Sequence, residues 1–86
     1  MNSTIILKSI RGKNLKTQSD LARKLQVSRQ VYCGYENNPL QCPLDLLYKI
    51  LYMLNASDKD LEDFLNAIKQ DYLSYKDDEL IKELEV

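Results

Sequence analysis

An all-α fold is predicted by three observations on this chain of 86 residues. Thr17 to Asn38 reads as two short helices joined by a tight turn, Thr17-x-x-Asp20 and Ser57-x-x-Asp60 have the spacing of helix-starting capping boxes, and Leu61, Leu65, Ile68, Tyr72 and Tyr75 repeat in steps of 4, 3, 4 and 3. Five helices with a C-terminal helical extension and no strands follow. Helix 1 is expected from about Thr4 to Arg11, with Ile6, Leu7 and Ile10 inward and Gly12 as its C-terminal stop. Helix 2 begins at Thr17 and carries an apolar stripe of Leu21, Ala22 and Leu25, continued by Val27, with a small residue where another helix must approach closely. Ser28 caps helix 3, into which Tyr32 and Tyr35 extend the stripe. The segment Asn37-Asn38-Pro39-Leu40-Gln41-Cys42-Pro43 is rich in turn formers, and Pro43 suits the first position of helix 4. Helix 4, Pro43 to Leu54, is apolar almost all round, which predicts a central helix covered on more than one side. Helix 5 starts at the Ser57 box, and its stripe, with Phe64 beside it, is expected to cover helix 4 of the same subunit or of a second one. The repeat ends near Asp77-Asp78, where a short last helix bearing Leu80, Ile81 and Leu84 is expected. Residues 1–56 form the core in this reading, and residues 57–86 an acidic helical segment that packs on it and supports dimerisation.

Between the stripes of helices 2 and 3, Ser28, Arg29 and Gln30 stay polar on the first turn of a helix, where free N–H groups and the positive dipole end favour phosphate. These side chains hydrogen-bond phosphates and base edges, Arg to guanine and Gln to adenine, and a neighbouring Val31 suits a thymine methyl. Two helices so joined, with a polar start to the second, make a helix-turn-helix signature for double-stranded DNA. Thr17 serves equally well as a cap or as a phosphate contact, whereas Gln18 is harder to explain as structure. The main role of Ser28 is the cap. Lys16 and Lys24 supply backbone attraction, and Asn38 and Gln41 either contact phosphates or only shape their turn.

The spacing of Thr17, Gln18, Leu21, Ala22, Leu25, Val27, Ser28, Gln30, Tyr35, Glu36 and Asn37 resembles the λ-repressor/Cro-like (XRE) family, without gaps through the stretch from Thr17 to Asn38 and more loosely to Leu54. The resemblance implies DNA binding by helix 3, a phosphate-contacting glutamine at Gln18 and a structural pair between Arg11 and Glu36. The chain departs from the family at three places. Gln26 stands where glycine usually takes a left-handed turn, at a cost of roughly 1–2 kcal/mol. Gly34 replaces a long polar side chain late in helix 3, so base reading leans on Arg29 and Gln30, and the glycine weakens that helix by about 1 kcal/mol relative to alanine. Leu15 and Lys16 occupy a loop where the family more often has glycine and then an apolar residue.

Charge is divided along the chain. Residues 1–56 carry eight Lys or Arg against three acids, +5, and residues 57–86 carry four Lys against ten acids, −6. A positive reading head and an acidic tail turned from the phosphates fit a DNA binder, although acidic exposed helices are also simply soluble. Cys33 and Cys42 make no disulfide framework, and without histidine or a second cysteine pair a zinc site lacks ligands. The apolar run near the start is too short for a signal-peptide core, and nothing approaches the roughly 20 apolar residues of a membrane span, which predicts a cytoplasmic protein. With neither histidine nor a glycine-rich phosphate loop, no enzyme and no cofactor are expected. A domain this small buries only roughly 60–65% of its unfolded surface, so a homodimer is a natural supplement. The expected function is that of a dimeric transcriptional regulator of the phage or mobile-element repressor type on a palindromic operator. The alternative is the antitoxin of a toxin–antitoxin pair, with a protein partner on the acidic segment or on the Leu80-Ile81-Leu84 face.

Overall fold

A computed structural model of the protein describes residues 1–85, with side chains through Ser74. Five α-helices succeed one another: α1 (Asn2–Lys13), α2 (Gln18–Leu25), α3 (Arg29–Asn37), α4 (Leu44–Met53) and α5 (Asp58–Glu85), with one 3₁₀ turn, Pro39–Gln41, between α3 and α4. Among the described residues there is no strand, and no helix is long and apolar enough to cross a membrane. Tyr75, Leu80, Ile81 and Leu84 lie outside the described side chains.

α1 begins earlier than the sequence suggests because its cap comes from the far end of the chain. The carboxylate of Asp71, on α5, accepts from the backbone N–H of Asn2 at 2.6 Å, from that of Ser3 at 2.8 Å and from the Ser3 hydroxyl. Burial pushes the Asp71 carboxyl up, but the bonds from Ser3 and Asn2 outweigh it and hold the group below the usual carboxylate range. α1 also runs through Gly12, which stays helical, and ends at Lys13 with Asn14 as its C-cap; the left-handed residue that turns the chain is Leu15, at φ 57°.

α2 starts on the complete capping box expected of Thr17 and Asp20, and α3 on the Ser28 hydroxyl, which accepts from Val31 N–H at 3.1 Å. Between them Gln26 is left-handed, φ 60° and ψ 40°, while Val27 N–H reaches Ala22 O and Gln26 N–H reaches Arg23 O, the paired bonds of a Schellman end. Gln26→Gly is therefore expected to relieve about 1–2 kcal/mol of strain and to return roughly 0.4–1 kcal/mol of unfolded-chain entropy. Its urea midpoint should rise slightly; a fall would show that the side chain holds the turn by contacts that outweigh the strain.

One core joins all five helices through Leu7 and Ile10, Leu21 and Leu25, Tyr32, Ile50 and Leu54, and Phe64. α4 is not the enclosed central helix that its composition suggests. Leu47, Ile50 and Leu51 are buried, but Leu44, Tyr48 and Tyr52 stand in solvent. The reason lies in α5, which packs chiefly along α1. Its buried row is Phe64, Ala67 and Asp71, one residue away from the expected stripe and so rotated by about 100°. Leu61 and Ile68 flank that row, whereas Leu65 and Tyr72 are exposed. The buried bonds of Asp71 to α1 accompany this rotation. Nor does α5 stop near Asp77-Asp78: it runs on as one helix to Glu85, since two aspartates lower helix propensity only slightly and neither glycine nor proline interrupts them.

Candidate nucleic-acid interface

Beneath α2 and α3 lies a buried ionic knot. Glu36, in the last turn of α3, is fully buried and accepts from Arg11 Nε and Nη2, both at 2.9 Å, a two-pronged pair between α1 and α3. Arg11 Nη1 also donates to Lys16 O at 3.1 Å, which ties down the loop entering α2. Gln18 Nε2 donates to Glu36 Oε1 at 3.2 Å. Burial pushes the Glu36 carboxyl up, but Arg11 and Gln18 outweigh it and hold it below its usual range. The Tyr32 hydroxyl is driven in the opposite sense, up, by burial first and then by the Glu36 carboxylate. Thr4 Oγ1 donates to Asn37 O at 2.9 Å and fixes the end of α3 against α1. α3 is thus seated on α1 by polar contacts at its C-terminal end and by Tyr32 in the core.

Above the knot, Lys8, Arg11, Thr17, Gln18, Ser19 and Arg29 surround one open depression of about 420 Å³. It joins three of the residues expected to meet DNA, Thr17, Gln18 and Arg29, at the start of α2 and beside the start of α3. Lys8 and Ser19 were not anticipated. Lys8 reaches the site from α1, and only the packing of α1 against α3 puts it there; Ser19 follows directly from the α2 start. The Gln18 amide, expected to serve phosphate, has one hydrogen on Glu36 and contacts the Cys33 sulfur, so its side chain is anchored where it meets the depression.

Arg29, Gln30 and Val31 project from the first turn of α3 into solvent, and Gly34 leaves open space on the same helix. Ser28 is exposed and acts as the cap. Lys24 is exposed on the last turn of α2 and forms no ion pair among the described residues. Asn38 is half-buried at the end of α3, with its Oδ1 enclosed and without a hydrogen-bond partner among the described residues, so this oxygen faces the protein interior. Arg23, by contrast, is held by Asp20 at 3.0 Å. The arrangement offers four separate cations, Lys8, Lys16, Lys24 and Arg29, around two helix starts, which is chemistry for the phosphates and base edges of a duplex.

The helix-turn-helix family model matches residues 7–61. Over 51 residues, 59% of its length, the chain is 37% identical to the Antitoxin HipB of Escherichia coli strain K12. It is also 37% identical over 51 residues to the Antitoxin HipB of Escherichia coli O6:H1. The matched stretch spans 58% of the first relative and 54% of the second, little more than half of either. No solved structure matches the chain.

Proposed function

The chain belongs to the helix-turn-helix family, of the XRE type, and on that premise we propose that it is a sequence-specific regulator of transcription that binds a palindromic operator as a homodimer. Each copy lays α3 in a major groove, so that two copies read two half-sites about one helical turn apart. The observation that carries this reading is the placement of Arg29 and Gln30 on the free first turn of α3, beside the depression that Thr17, Gln18 and Lys8 share with Arg29. Arg29 and Gln30 read base edges, and Val31 meets a thymine methyl. Thr17, Gln18, Lys24 and the remaining donors of Asn38 hold phosphates, while Ser28 sets the start of the helix. The function is binding, with no catalytic step. Repression by occlusion of a promoter, in a phage or another mobile element, is the simplest use of such a module.

The division between reading and holding is testable. On a preferred operator, selected from a random DNA pool, Arg29→Ala is expected to cost roughly 1–3 kcal/mol per half-site and much less on random duplex. Lys24→Ala should weaken both alike, because a phosphate contact carries no sequence information. Equal losses on the two DNAs for Arg29→Ala would make Arg29 a phosphate clamp and pass base reading to Gln30.

The 37% identity to the two HipB antitoxins supports a second reading, in which the chain pairs with a toxin through its acidic helix and also binds DNA. A small partner gene beside this one and a stable complex with its product would favour it. A divergent gene with an operator between the two favours the first.

A further inference from the structure

Between α4 and α5 the molecule leaves an open groove of about 240 Å³ that only apolar side chains line. Leu47, Leu51 and Phe64 are its buried floor, and Leu44 and Tyr48 on one side and Leu65 on the other are its exposed walls. Tyr52 continues the surface along α4, where it shares a smaller hollow with Tyr48, and Tyr72 continues it along α5. Tyr48, Tyr52 and Tyr72 are 67%, 78% and 44% exposed and Leu44 and Leu65 80% and 64%. From the usual areas of such side chains, the patch amounts to on the order of 600 Å², at the upper limit of what a monomer keeps in water. Two such patches face to face remove about 1,200 Å², the lower bound for a specific, stable interface. None of Thr17, Gln18, Arg29 and Gln30 lines the groove.

The charges beside the patch are self-complementary. Glu62 and Lys69 are exposed two helical turns apart on α5, in nearly the same direction and on either side of Leu65. An antiparallel copy centred near Leu65 brings Glu62 of each chain opposite Lys69 of the other, twice in one isologous contact.

We propose that a second copy of this chain docks on the α4–α5 face, antiparallel about a two-fold axis near Leu65, with the tyrosines and Leu65 of each copy covering the groove of the other. The pairing rests on the dimeric reading of the function and adds the surface that forms the dimer. It leaves α3 of both copies open to DNA.

Sedimentation equilibrium of the full chain without DNA, at micromolar concentration, tests the interface. The wild type should show twice the 10.0 kDa mass of one chain. Leu65→Glu, at an already exposed position, should keep the helical circular dichroism and weaken the pair at least about 100-fold. Ile5→Glu, which charges another exposed apolar side chain on α1, should leave the pair intact. Glu62→Lys alone should weaken it by on the order of 10-fold, and Glu62→Lys with Lys69→Glu should restore it. A single-chain mass at every concentration up to about 100 µM overturns the proposal, as does dissociation by Ile5→Glu but not by Leu65→Glu. Fluorescence anisotropy on a labelled random duplex separates this from the function: a dimer that ignores DNA upholds the interface and sinks the DNA-binding reading, whereas a chain that binds DNA only as a monomer does the reverse.

Discussion

Arg11→Ala is expected to destabilise the fold by about 3–5 kcal/mol, with a fall in melting temperature on the order of 20 °C for a domain of this size. The substitution leaves the Glu36 carboxylate, with no exposed surface, without its two bonds from the guanidinium, and leaves Lys16 O without its donor. Only the Gln18 amide then remains on the carboxylate. The loss measures the burial of an unpaired charge more than the worth of the pair. Arg11→Met combined with Glu36→Met, which removes both charges and keeps their bulk, should therefore cost far less than Arg11→Ala alone. Thermal and urea unfolding of the three proteins decide the matter. A loss below about 1 kcal/mol for Arg11→Ala would mean that Glu36 reaches water or takes up a proton, and that α3 does not depend on the knot for its seat.

What was legible in the sequence, and what was not, divides by the range of the interaction. The starts of α2 and α5 are written within four residues, as Thr17 with Asp20 and Ser57 with Asp60, and both boxes form. The Ser28 cap and the left-handed Gln26 are equally local. The Arg11–Glu36 pair spans 25 residues and was visible only through the family resemblance. Asp71 is different in kind. On its own helix it is one acid among many, and its meaning comes from two amides at the other end of the chain, so no local pattern announces it. That one contact also lies on the face that α5 buries. Apolar periodicity ranks Leu61, Leu65, Ile68 and Tyr72 as the buried stripe, but the stripe competes with a face that carries Phe64, Ala67 and a capping carboxylate, and the latter is the one that meets α1. At the DNA-facing side the same rule holds. Arg29 and Gln30 follow from their place in α3, whereas Lys8 joins Gln18 and Arg29 only because α1 packs against α3.

Affinity for a DNA operator should fall by roughly 10³–10⁵ between 50 and 200 mM salt, although the chain as a whole is acidic, with an isoelectric point of about 5.3. The net charge of −1 is the wrong quantity for the encounter, because the charges are sorted: +5 over residues 1–56 and −6 over residues 57–86. Lys13 is engaged by Asp60 and Arg23 by Asp20, and Arg11 is held by Glu36, so these cations contribute little. Lys8, Lys16, Lys24 and Arg29 remain around the helix starts, and two copies supply eight, within the roughly 6–10 phosphate contacts that produce a loss of this size. A log–log plot of affinity against salt should then be straight, and Lys8→Ala should lower its slope by about one for each half-site. The acidic end of α5 sharpens the test, since a carboxylate-rich helix turned toward the duplex would repel it and flatten the dependence. An affinity unchanged across that salt range would show that the DNA is not held through its phosphates, and the proposed function would fall with it.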